Sequence, residues 1–130
     1  MHKYLPAAAL LLAATTVRAD DRVDCKHAMT QLDINTCAAQ DFAAADAKLN
    51  RTYKTLISKL DTNELAALKT AQRAWITWRD AKCNFETVAS QGGSIRPMEF
   101  LMCQTELTND RSNQLQKQIA CPANLSCPAN

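Results

Sequence analysis

The chain has 130 residues, 15 of them basic and 13 acidic, with six cysteines and only two glycines. Removal of an expected leader carrying Lys3 and Arg18 takes the basic count from 15 to 13, level with the 13 acids. That balance argues against nucleic acid as a partner, because phosphate binding rests on a basic surface, and it supplies neither attachment to anionic membranes nor long-range steering.

His2 and Lys3, the apolar run Leu5 to Ala14, and Val17-Arg18-Ala19 before Asp20 have the layout of a cleavable secretory signal over residues 1–19. The run is too short to span a bilayer, and no later stretch is long enough, so no membrane span is expected. A lipoprotein signal needs small residues before a cysteine, whereas Arg22-Val23-Asp24 precede Cys25. The remainder divides into one domain over residues 20–120 and a short tail over residues 121–130, located in the periplasm or secreted. Nothing in the sequence sets an oligomeric state.

Phe42, Ala45, Leu49, Tyr53, Leu56 and Leu60 recur at helical spacing in a segment free of proline and glycine, predicting one long helix from about Gln31 to Leu60. Asp61-Thr62-Asn63-Glu64 then resembles a capping box, opening a second helix that runs to about Ser90. Leu65, Leu68, Gln72, Trp75, Arg79 and Cys83 share one face of it. An apolar core stripe interrupted by an amide and a guanidinium reads as a polar seam: a buried Arg79 should meet a carboxylate or stack on Trp75 or Trp78, and Gln72 should bridge to Asn50 or Thr108. The seam either fixes helix register or lines a groove for a partner.

Gln91 to Arg96 forms the one glycine-bearing connection, and Pro97 suits the first turn of a third helix reaching about Ala120. Leu101, Thr105, Thr108, Ser112, Leu115 and Ile119 are its expected inward positions. In the turn, Gly92 and Gly93 permit close approach to another molecule, Ser94 can donate and accept, and Arg96 can pair with carboxylates, so these four form the candidate binding surface. The alternative is a plain connection with Ser94 as N-cap. The tail repeats Cys-Pro-Ala-Asn around Leu125-Ser126 and reads as a looped staple. These elements give an all-α fold, a small disulfide-stapled antiparallel bundle of about three helices.

An even cysteine count in an exported chain favours three disulfides over a metal, and neither a tight Cys-x2-Cys pair nor a cysteine–histidine cluster occurs, so no metal or cofactor is expected. Cys83 and Cys103 each stand about 10 Å of helical rise from the turn, and antiparallel packing brings them level. Cys25 with Cys37 then ties the first helix to the segment before it, and Cys121 with Cys127 closes the tail. Cys103 falls off the stripe assigned to the third helix, so that pairing requires some rotation.

Catalysis finds little support. His27 is the one histidine after the leader, and no hydrolase serine elbow, phosphate loop or zinc-protease motif is present. Asp46, Asp80 and Glu86 lie on helices, but basic residues three or four positions away mark most such acids as parts of solvated faces. Asp33-Ile34-Asn35 begins like a calcium loop without its glycine or terminal glutamate. Asn50-Arg51-Thr52 and Asn124-Leu125-Ser126 match the glycosylation sequon. The reading is a protein that is not an enzyme.

Leu49-Asn50-x2-Tyr53, Gln72-x2-Trp75-x3-Arg79-x3-Cys83, Gly93-Ser94, Cys103 and Thr108-x2-Arg111-x3-Leu115 together resemble the LprI-like lysozyme inhibitor family of bacterial secreted and cell-envelope proteins. The resemblance runs from about Cys25 to Leu115. It implies an exported helical domain whose partner is lysozyme, with Asn50, Tyr53, Gln72, Trp75, Arg79, Thr108 and Arg111 forming the polar seam. The expected mechanism is occlusion of the enzyme cleft, where one protonated and one ionised carboxyl group work together, by the turn bearing Ser94 and Arg96. The competing expectation is a periplasmic binding or adaptor module that engages another envelope protein without inhibiting lysozyme.

Overall fold

The computed structural model describes residues 23–121, which form three helices and no strand. Helix α1 spans Gln31–Ile57, α2 Thr62–Glu86 and α3 Arg96–Ala120, with a single 3-10 turn at Val88–Ser90 after α2. The expected signal and the tail pairing of Cys121 with Cys127 lie outside the described residues. No described helix is long and apolar enough to cross a membrane.

Local chemistry sets the helix ends. Thr30 caps α1 by accepting from the Asp33 amide at 3.1 Å. The helix stops at Ile57, short of the expected Leu60, where the Ser58 backbone turns back onto Leu56. Both halves of the capping box at α2 are formed: Asp61 accepts from the Asn63 and Glu64 amides, and Glu64 accepts from the Asp61 amide at 2.9 Å. At the far end the Thr87 hydroxyl donates to the Cys83 carbonyl at 2.8 Å, and the chain tightens into the 3-10 turn instead of continuing as α-helix to Ser90. Pro97 occupies the first turn of α3, where its missing amide hydrogen costs nothing.

Asn35 near the start of α1 donates to the Ser94 carbonyl just before α3, while Leu56 and Leu115 meet near the opposite ends. Thus α1 and α3 run parallel and α2 antiparallel to both, each helix reversing its predecessor. Packing of α3 is chiefly against α1, with a smaller contact to α2.

The interior has two halves of different chemistry. Around Leu49, Leu56 and Leu115 gather Tyr53, Leu60, Leu68, Trp75 and Ile119. Fully burying a leucine contributes about 1.5–3 kcal/mol, so this end carries most of the hydrophobic stabilisation. Toward the other end the buried positions are Ala38 and Ala45 on α1, Arg79 and Cys83 on α2, Thr87 at its end, and Gln104, Thr108 and Ser112 on α3. Small residues let helices approach closely there, and covalent links reinforce them. Cys83–Cys103 joins α2 to α3 at a Cα separation of 5.7 Å, and Cys25–Cys37 joins the leading segment to α1 at 5.6 Å.

The inward stripe of α3 differs from the expected one at a single position. Gln104 is buried and Thr105 only half-buried, its hydroxyl spent on the Leu101 carbonyl one turn back. With Gln104 inward, the adjoining Cys103 stands beside α2, which reconciles the stripe with the disulfide.

Candidate functional site

The polar seam is built on α2. Arg79 is 7% exposed, and its guanidinium lies between two rings, 5.2 Å from the Trp75 centroid and 5.3 Å from that of Phe42 on α1. Its Nε donates to Asp80 Oδ1 at 2.9 Å and its Nη1 to the Thr108 hydroxyl at 3.3 Å. Gln104 donates to the same Asp80 oxygen at 2.7 Å, so one carboxylate neutralises the arginine and tethers α3. Trp78, the other stacking candidate, is 51% exposed.

One helical turn away a second guanidinium repeats the pattern without a carboxylate. Arg111 Nε donates to Gln72 Oε1 at 3.0 Å, Nη1 donates to Gln114 Oε1 at 3.1 Å, and the group lies 5.8 Å from the Trp75 ring. Partial burial pushes its pKa down, because desolvation penalises the charged form. Gln72 therefore bridges to Arg111, not to Asn50 or Thr108. Asn50 is exposed and donates to Asp46 within α1 at 2.9 Å, which removes it from the seam. Tyr53 packs half-buried against the leucine cluster. Asp80, Gln104 and Phe42 complete the Arg79 site. Asp80 therefore belongs to the seam and not to a solvated face, and Gln104, one position from the expected inward Thr105, carries no signal in the sequence that marks it as buried.

The glycine turn sits at the opposite end of the bundle from the leucine cluster. Gly92 takes a φ of +82°, which L side chains rarely adopt, and open space surrounds the position a Cβ would occupy. At Gly93 an added Cβ would stand 3.1 Å from the Ser90 carbonyl oxygen. Ser94 is exposed, and its carbonyl accepts from Asn35 Nδ2 at 3.0 Å. The N-cap of α3 is Ile95, with no side-chain cap, so the alternative role of Ser94 as N-cap is not realised. Arg96 is held from two sides: Nη2 donates to Asn84 Oδ1 at 2.8 Å and the guanidinium lies 5.5 Å from the Phe100 centroid. Its Nε is buried without a partner among the described residues. Exposed Phe85, Val88 and Ile95 belong to the same end, as do Met29 and Leu32 before and within the first turn of α1.

The remaining candidates for chemistry are separated. The His27 ring nitrogen Nδ1 stands 2.7 Å from Asp24 Oδ2, both groups exposed. Asp46 binds Asn50, Asp80 serves the seam, and Glu86 pairs with Lys82. Among the described residues no three His, Cys, Asp or Glu side chains converge on a metal position.

The sequence model of a family described as Lysozyme inhibitor LprI matches residues 24–115, from the first disulfide loop to the leucine of the core. The chain belongs to the LprI family. Relatives include the uncharacterized protein R02472 of Rhizobium meliloti (strain 1021), 36% identical over 95% of this chain and 100% of its own length. The uncharacterized protein YecT of Escherichia coli (strain K12) is 33% identical over 72% of this chain and 70% of its own length. No solved structure matches. The LprI match covers the two described disulfides, the Arg79 seam and the glycine turn.

Proposed function

We propose that this protein is exported, with residues 1–19 as its signal, and inhibits lysozyme by binding the enzyme and occluding its cleft with the glycine-turn end of the bundle. The observation that carries the reading is membership of the LprI family over 24–115, the span that builds the bundle. Restraint of the turn supports the choice of surface. Arg96 is already fixed by Asn84 and Phe100, so little side-chain freedom is lost when its remaining donors meet a carboxylate. The exposed apolar rim of Phe85, Val88 and Ile95 gives such an anchor the surroundings that exclude water around a binding hot spot. Inhibition of this kind needs only shape and a held charge, with no chemistry by the inhibitor.

Calorimetric titration of an animal-type lysozyme with the purified protein and with Arg96→Ala tests this reading. A saturable complex weakened about thirtyfold by the substitution, roughly 2 kcal/mol, supports the turn as the contact. Equal affinities of parent and variant eliminate the turn while leaving inhibition standing. Absence of any complex favours the adaptor role instead.

A further inference from the structure

At the end of the bundle remote from the glycine turn, a half-open cavity of about 350 Å³ is walled by Leu56, Leu60, Leu68 and Leu115. Arg111, Gln114, Gln118 and Glu64 form its rim. Leucine walls select an aliphatic occupant. Arg111 adds a second requirement. Its partners are two amide oxygens and an indole face, it forms no ion pair with any described carboxylate, and it is partly withdrawn from water. Glu64 stands on the rim but turns its carboxylate to the Asp61 amide at 2.9 Å, fulfilling the capping box instead of neutralising the arginine. A half-buried cation beside a leucine-walled hollow is complementary to a hydrocarbon chain that ends in a carboxylate.

We infer that this cavity is a binding site for a free medium-chain fatty acid, its chain lying among the four leucines and its carboxylate meeting Arg111. The site is independent of the lysozyme reading, and lies at the other end of the molecule. Each buried methylene strengthens binding about fourfold, so affinity climbs roughly fifteenfold for every two carbons until the hollow is filled. The charged contact adds a head-group preference that a neutral alcohol of equal length lacks.

The test is isothermal titration of the full protein with hexanoate, octanoate, decanoate and decanol, each below its micelle concentration. The expected result is one saturable site, a gain of about fifteenfold from octanoate to decanoate, and decanol at least tenfold weaker than decanoate. Because the comparison is made on the ligand, it stands even if Arg111→Gln fails to fold; where that variant folds, it should bind decanoate and decanol alike. No saturable binding, or decanol equal to decanoate on the parent protein, overturns the inference. Binding that emerges only in Leu125→Ser also overturns it, because the hollow would then belong to the chain's own tail.

Discussion

The guanidinium of Arg79 donates to the Thr108 hydroxyl at 3.3 Å, joining α2 to a fully buried position on α3. Thr108 cannot find water there, and Arg79 is matched by one carboxylate and two rings, so each residue is the condition for burying the other. Arg79→Met should therefore cost about 2–3 kcal/mol of stability and lower Tm by about 10 °C or more, followed by circular dichroism. Thr108→Val, which keeps the shape, should cost about 1 kcal/mol. Folded Arg79→Met protein should still inhibit lysozyme like the parent; a well-folded variant that had lost inhibition would move the contact surface onto the seam.

The two described disulfides close loops of similar size, with sequence separations of 12 and 20. Chain entropy alone assigns about 3 kcal/mol to each. Their surroundings differ, because Cys83 is fully buried between helices and Cys25 is exposed. Replacing Cys83 and Cys103 by serine puts a hydroxyl in a site without water, so urea unfolding should show a larger loss for that pair than for the Cys25 and Cys37 pair.

The start of α2 and the Cys83–Cys103 register were legible in the sequence, whereas α1 and α2 end three and four residues before the expected Leu60 and Ser90. Asp61 and Glu64 announced the start of α2, and the distances of Cys83 and Cys103 from the turn made their pairing a matter of counting. Partners of buried polar groups were less legible. Arg79 was expected to find a carboxylate, yet Asp80 and Gln104 became its setting only because Gln104 takes the buried place expected of Thr105. Gln72 chose Arg111 over Thr108 through the same long-range geometry, and Asn50 turned outward because Asp46, one turn earlier, satisfies it locally. The turn residues Gly92, Gly93, Ser94 and Arg96 were visible as a group; that Asn84 and Phe100 restrain Arg96 was not, since helix contacts alone bring them together.

At the turn, Gly92 holds a φ of +82° with open space where a side chain would project. Gly92→Ala should thus lose about 1 kcal/mol through backbone strain, with no steric contribution. Gly93→Ala should lose stability by a different route, contact with the Ser90 carbonyl. Thermal melts of the two variants, read beside lysozyme affinity, separate strain in the turn from loss of its surface.

Near the first disulfide, the His27 ring and then the Lys26 amide hold the Asp24 carboxyl below its ordinary 3.8. A depressed carboxyl contributes order that is fully present above that ordinary value and lost as pH falls through the lower folded value. An NMR titration should place the Asp24 midpoint below 3.8, and His27→Ala should return it upward. Since the group is fully exposed, the effect should stay local to the segment before α1.

The most direct measurement is a turbidity assay of bacterial cell walls digested by an animal-type lysozyme, with and without the purified protein at micromolar concentration. The account predicts slower clearing in proportion to the protein added, removed by reducing the disulfides before the assay and weakened in Arg96→Ala. Clearing at an unchanged rate across the whole concentration range would contradict it.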